Sequence, residues 1–294
     1  MLFRSKALSP PAKRQAVGKM LQETSISERR ACALVGLARD SWRHPPQRAQ
    51  ADQGMSQRIV ELAHERRRFG YRRIGDLIRA DGTVINDKRV YRLYRLADLA
   101  VRKRRSRKRL KLERVPLHRC EAVNEVWSLD FVSDCLANGR RIKCLTISDD
   151  FSHECVDIAV DHGIGGQYVA RVLEQAARFR GYPKAVRTDQ GPEFTSRAFL
   201  AWALARGVRH ILNQPGKPTQ NAYIESFNGK FRDECLNEHW FETLAQARHE
   251  ITIWRIDFNE VRPHQGCGRI APARFASLHR QQAADAAQPR KTQE

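Results

Sequence analysis

Apolar positions along this chain change their spacing near residue 120, from a helical period before it to strand-like runs after it. In Ser25-Ile26-Ser27-Glu28-Arg29-Arg30-Ala31-Cys32-Ala33-Leu34-Val35-Gly36-Leu37 they recur at three and four positions, which predicts a helix. Ser25 or Ser27 is placed to cap its start, Gly36 breaks the pattern, and Ala38–Arg43 begins another turn. Helix, glycine-containing turn and helix form the outline of a helix-turn-helix, an outline that any small helical hairpin shares. Pro45-Pro46 ends the segment. A second helical unit follows. Ser56–Arg66 turns Ile59, Val60, Leu62 and Ala63 to one side, and Arg72–Ala80 does the same with Ile74, Leu77 and Ile78. After an Asp81-Gly82 turn, Asn86 can cap a helix over Lys88–Asp98, with Val90, Leu93 and Ala97 inward and Arg89, Arg92 and Arg95 outward.

From Asn124 the pattern predicts three strands, Val126–Val132, Arg141–Ser148 and Cys155–Val160. Turns such as Ala137-Asn138-Gly139 are short enough for an antiparallel meander. A helix over Gly166–Phe179, a strand at Ala185–Asp189, a helix over Ser196–Arg206 and a strand at Val208–Leu212 come next. A Gly- and Pro-rich loop, Asn213–Thr219, leads to a helix starting near Asn221. The organisation predicted is a helical hairpin over 1–50, a second helix-turn-helix-like DNA-binding domain over 51–100 and a basic linker over 101–119. An α/β core with C-terminal helices over 120–279 and a disordered tail over 280–294 complete it.

Charge sharpens this division. The net charge is +20, and residues 1–119 hold 31 Lys and Arg against 11 Asp and Glu, whereas residues 120–294 hold 22 of each. A basic front on a neutral back points to a polyanion gripped by one part of the chain while another part acts. Arg102–Arg114 has nine basic residues and almost nothing to bury, as expected of a segment that tracks a DNA backbone. Arg72, Arg73, Lys88, Arg89, Arg92, Arg102, Lys103, Arg104 and Arg105 are the candidate contacts in this front, with a solvated arginine face as the plain alternative. Seven cysteines without a C-x-x-C pair read as free thiols, and no run is long and apolar enough for a bilayer. The first 22 residues lack the apolar stretch of a secretory signal. These features predict a protein of a reducing cytosol.

Three carboxylates stand out within the neutral half. Asp130 lies mid-strand among apolar neighbours, where a charge is costly unless something offsets it. Asp189 ends a short strand before the turn Gln190-Gly191-Pro192, and Glu225 opens a helix. Carboxylates from two strands and a helix start can converge as hard oxygen ligands for Mg²⁺ or Mn²⁺. Taken singly, each has a simpler reading: Asp189 could cap the turn, and Glu225 could favour a helix N-terminus. Asp149-Asp150 is a competing acidic pair, and Asp134 shares the strand face of Asp130.

In combination, Asp130, Asp189 and Glu225 stand 59 and 36 positions apart. They sit in Val126-Trp127-Ser128-Leu129-Asp130-Phe131, Arg187-Thr188-Asp189-Gln190-Gly191-Pro192-Glu193-Phe194 and Pro218-Thr219-Gln220-Asn221-Ala222-Tyr223-Ile224-Glu225-Ser226-Phe227-Asn228-Gly229. With Phe258-Asn259-Glu260-Val261-Arg262-Pro263-His264 near the end, the sequence resembles the DDE transposases of the insertion-sequence-three type, relatives of retroviral integrases, over about residues 56–276. The resemblance implies a ribonuclease-H-like core, a mixed five-stranded sheet flanked by helices, behind an all-α DNA-binding region. It implies that Asp130, Asp189 and Glu225 bind two catalytic divalent ions, Mg²⁺ or Mn²⁺. It places Arg232 and Lys217 near the scissile phosphate, with Lys230 on the same helix as a further DNA contact, and puts Ser226 and Asn228 at the border of the site. The implied activity is cleavage at element ends followed by transesterification into double-stranded DNA, by a homo-oligomer. An upstream-frame helix-turn-helix protein or fusion partner belongs to the same picture, as does the absence of the His-His-Cys-Cys zinc domain of retroviral integrases. A non-catalytic DNA-binding protein and a nuclease that only hydrolyses are the competing readings.

Overall fold

Ser27 accepts the Arg30 amide at 3.4 Å and so caps the helix that follows it, and Gly36 ends that helix at φ 64°, a conformation glycine adopts without strain. The computed structural model describes residues 9–44, 48–101, 120–213 and 221–287. The N-terminal helices are α1 (Pro10–Glu23), α2 (Glu28–Val35), α3 (Arg39–Arg43) and α4 (Arg48–Glu65), followed by α5 (Tyr71–Ala80) and α6 (Asp87–Leu96). Val17, Ala31 and Cys32 are buried beneath Met20, Leu21, Ile26, Val35, Leu37 and Trp42, a small core for the first three helices. Helix α4 starts eight residues before the predicted Ser56, because no Gly or Pro interrupts its polar first half except Gly54, which the helix tolerates.

The contacts divide the chain at a place the apolar pattern did not mark. One compact unit comprises Met1–Glu65 and Arg92–Leu99; the other comprises Arg66–Tyr91 and Ala100–Glu294. Within the second unit, Arg66 binds Asp257 through both guanidinium nitrogens (2.6 and 2.8 Å), Arg68 binds Glu238 (2.6 Å) and Arg73 binds Glu234 (2.9 Å).

The sheet has the order β3-β2-β1-β4-β5, with β1 (Val126–Cys135), β2 (Arg141–Asp149), β3 (Cys155–Asp161), β4 (Ala185–Thr188) and β5 (Arg209–Leu212). The first three are an antiparallel meander; β4 pairs parallel with β1, and β5 parallel with β4. β1 is central, and Val126–Leu129 is buried at every position because both faces are covered. Helices α7 (Gly166–Arg180) and α8 (Arg197–Ala205) cover the face carrying Trp127, Leu129, Leu145 and Ile147. Helices α9 (Ala222–Glu234) and α10 (Leu244–Glu260) cover the other, where Val132, Ile142, Cys144 and Val160 meet Ile224, Phe227, Phe231 and Trp254. A last helix, α11 (Pro272–Ala287), continues eight residues into the stretch expected to be a disordered tail, whose remainder lies outside the described residues. All seven cysteines are unpaired, as the spacing predicted. Among the described residues no helix is long and apolar enough to cross a membrane.

Candidate active site

Strand register places the first two carboxylates. β1 and β4 run parallel with Ser128 opposite Arg187, and the same register continued by two residues sets Asp189 level with Asp130. Neighbouring strands lie about 4.8 Å apart, so two carboxylates 59 positions apart in sequence become near neighbours. β4 is an internal strand and β5 the edge, so Asp189 is exposed just past the end of an internal strand. Its Oδ1 accepts the Gly191 amide at 2.9 Å, which holds the carboxylate against the turn.

Helix α9 brings the third. Asn228, on the turn after Glu225, donates through Nδ2 to Asp130 Oδ2 at 2.9 Å. Thr146, directly across from Asp130 on β2, has its Oγ1 2.8 Å from Asn228 Oδ1 and 3.0 Å from the Asp130 carbonyl oxygen, its one proton serving either acceptor. The Phe131 amide donates to Asp130 Oδ1 at 2.8 Å. Asp130 is thus fixed by its own strand and by α9, while Glu225, exposed in the first turn of that helix, stays available.

Burial pushes the Asp130 carboxyl above its usual range, and the charges of Asp189 and Glu225 push it the same way, against the hydrogen bonds from Phe131 and Asn228. None of the three has an ion-pair partner among the described residues. Of the other acidic candidates, Asp134 accepts the Cys135 amide at 2.8 Å and likewise has no ion-pair partner among the described residues, whereas the Asp149-Asp150 pair is taken up in the fold. Asp149 accepts the amides of Asn124 (2.7 Å), Phe151 (3.1 Å) and Ser152 (2.7 Å) and the Ser152 hydroxyl (2.9 Å), a structural turn. Asp150 is buried against Arg187, and burial raises its carboxyl to about 6. Glu193 pairs with Lys143, whose ammonium sits 3.8 Å above the Phe131 ring.

Three carboxylates without an ion-pair partner among the described residues are a donor set suited to a hard divalent ion. They are not gathered into a closed cage, however: among the described residues no group of three His, Cys, Asp or Glu could hold a metal as it stands.

Of the remaining candidates, Arg232 donates to the Ser133 carbonyl at 2.7 Å, which lays its side chain along β1. Lys230 Nζ lies 3.0 Å from His264 Nε2. Arg72 is exposed beside the Tyr71 ring, Arg73 is engaged by Glu234, and Lys88 is exposed at the start of α6. Arg89 is half-buried where an outward side chain was expected, and Arg92, although exposed, is tied to Asp52 at 2.6 Å. Lys217, Arg102, Lys103, Arg104 and Arg105 lie outside the described residues. Thr146 was missed in the sequence; a lone hydroxyl between Leu145 and Ile147 in an apolar strand was its only signal.

The chain is similar to known proteins along most of its length. The integrase core domain family matches residues 121–218, a second integrase core domain family matches 206–272, and an HTH-like domain family matches 49–108. The uncharacterized 39.2 kDa protein of insertion element IS476 from Xanthomonas euvesicatoria is 61% identical over 287 residues, spanning 98% of this chain and 83% of that protein. The transposase for insertion sequence element IS904 from Lactococcus lactis is 28% identical over 236 residues, 75% of this chain and 92% of that one. Among solved structures, a chain of the simian T-cell lymphotropic virus intasome in complex with PP2A regulatory subunit B56 gamma superposes with a TM-score of 0.50 at 15% identity, covering 80% of this chain and 76% of that chain, a likeness of fold. Matched by the integrase core families from residue 121 to residue 272 and by a relative 61% identical along nearly its whole length, this chain belongs to the DDE transposases of insertion elements, enzymes of the polynucleotidyl-transferase type with an integrase-like core.

Proposed function

We propose that the protein cleaves the 3′ ends of its element and joins them to a second phosphodiester by direct transesterification, with Asp130, Asp189 and Glu225 as the metal-holding carboxylates. The observation that carries this reading is electrostatic: two carboxylates act on the half-buried Asp130, and none of the three is matched by a cation of the protein among the described residues. Two Mg²⁺ or Mn²⁺ ions bound there would activate the attacking oxygen and stabilise the leaving one. The chain's own residues prepare the site. Asn228 and Phe131 orient the two oxygens of Asp130, Gly191 orients Asp189, and Glu225 lies exposed in the first turn of α9. In the joining step a 3′-hydroxyl forms a new P–O bond as another P–O bond breaks, so the number of phosphodiesters is kept and no outside energy source is needed. Arg232 and Lys217 contact the strand near the reacting phosphate, double-stranded DNA is both substrate and target, and the paired-end reaction calls for a multimer. The reading places the protein in the bacterial cytoplasm, working with an upstream-frame helix-turn-helix protein.

The test is a cell-based junction assay on a plasmid carrying the element's ends, with the upstream frame supplied and protein levels matched. End-to-end or end-to-target joints are expected with the wild type and should vanish with Glu225→Gln. Equal joints from both proteins would remove the assigned triad. Nicked ends without joints would indicate a hydrolytic nuclease instead.

A further inference from the structure

Helix α9 presents two kinds of chemistry. Ile224, Phe227 and Phe231 are buried and Asn228 reaches Asp130, whereas Ser226 and Lys230, four residues apart and therefore stacked on one face, open into a separate cavity. This cavity, of about 770 Å³, is walled by α5, by α9 and by the segment Arg262–Arg269 that follows α10.

Its charges do not balance. Arg262 is almost fully buried and binds Glu234 through Nε (2.6 Å) and Nη2 (2.7 Å); Arg73 takes the same carboxylate at 2.9 Å. Two guanidiniums therefore share one carboxylate. Arg269 and Arg79 are matched by Asp76 and Asp87. Lys230 has His264 as its neighbour at 3.0 Å and, among the described residues, no carboxylate. Arg72, also without a carboxylate among them, has its guanidinium 5.6 Å from the centre of the Tyr71 ring. Three positive charges are left over. Burial, then Arg262 and Arg73, push the Lys230 ammonium down to about 8, and burial with the surrounding cations keeps His264 neutral. A half-buried cluster of like charges is unfavourable by itself and is relieved by an anion.

We infer that this cavity is a phosphate pocket, which takes one backbone phosphate of the DNA strand leading into the triad, with Arg72 and Lys230 as the charged contacts and Arg73, Arg262 and His264 as the wall that positions them. The inference rests on the reading of Asp130, Asp189 and Glu225 as the reaction centre. Ser226, at the cavity's edge, is the residue next to Glu225, so a phosphate in the pocket lies close along the strand to the one that reacts. Such a contact sets the position of the strand and carries no sequence information. It also gives a role to the Arg262-Pro263-His264 motif, which lies outside the carboxylate site.

Binding of the full chain to a fluorescein-labelled 30-base-pair duplex of arbitrary sequence, followed by anisotropy across a salt series in EDTA, tests the pocket. Each phosphate contact contributes about 0.9 to the slope of log K against log salt. Because both residues hold the same phosphate, Arg72→Gln and Lys230→Met are each expected to reduce that slope by up to about 0.9, and the double variant by no more than about 0.9, equally for unrelated duplexes. Circular dichroism melts establish that the variants fold. Should Lys230→Met not fold, Arg72→Gln decides alone, because Arg72 is exposed and its loss leaves no buried partner. A folded Arg72→Gln with the wild-type slope and affinity would overturn the pocket, as would a folded Lys230→Met with both. The measurement needs neither metal nor the triad, so its failure and that of the junction assay are separate results.

Discussion

At the scale of the residue, the site depends on one amide. Asn228 spends its NH₂ on Asp130 and its carbonyl on Thr146, so a single side chain ties β1, β2 and α9 together at the carboxylates. Asn228→Ala removes the donor without adding charge and leaves the Asp130 oxygen to find another partner. By the usual weight of residues that orient metal ligands, joining activity should fall about 10–100-fold. A positioning role also raises the Mg²⁺ concentration needed for half-maximal joining, whereas a purely structural loss would lower the melting temperature and leave that midpoint in place. Measuring both on the same preparation separates them.

At the scale of the element, the turn that carries the Asp189 motif is braced by close packing between helix starts. Ser196 caps α8 by accepting the Phe199 amide at 3.3 Å and donates to the Glu193 carbonyl at 2.9 Å. Gly166, the first residue of α7, packs against this cap: a Cβ there would fall 1.8 Å from Ser196 Oγ and 2.8 Å from the Glu193 carbonyl oxygen. One of these neighbours is backbone and cannot rotate away. Gly166→Ala should therefore destabilise the protein by roughly 1–3 kcal/mol, the range for overpacked sites, despite alanine's better helix propensity. Urea unfolding reads the sign: a variant as stable as the wild type would mean that the α7 and α8 starts separate easily.

At the scale of the whole molecule, residues 66–91 belong to the same compact unit as the integrase core, although a basic linker separates the two in sequence. Three arginines of this stretch, Arg66, Arg68 and Arg73, supply partners to Asp257, Glu238 and Glu234. A fragment starting at residue 120 would leave Asp257 and Glu238 without these partners, leave Glu234 to Arg262 alone, and lose Phe69, whose ring centre lies 5.7 Å from the Arg262 guanidinium. A fragment starting at residue 66 keeps them. The longer one is expected to be more stable by roughly 1–3 kcal/mol, since partly buried pairs contribute more than exposed ones. Equal urea midpoints would show that the core stands without residues 66–91.

The sequence by itself determined the elements and named the chemistry. The cap at Asn86, the helix over Glu28–Val35 and the apolar run that makes β1 are local, and local sterics and periodicity suffice to read them. Asp130 stood out as a costly charge in an apolar strand, whereas Asp189 and Glu225 were singled out only by their spacing and by the motifs that carry the family resemblance. Partnership was not legible, because it depends on which side chains meet across long sequence separations. Only the tertiary structure showed Asp149 taken up by backbone amides and Asp150 by Arg187. It alone set Thr146 behind Asp130 through strand register, assigned Arg92 to Asp52, and brought Arg72 and Arg73 into one cavity with Lys230 and Arg262. Ion pairs and pockets are properties of distance in space, and a chain states distance only along itself.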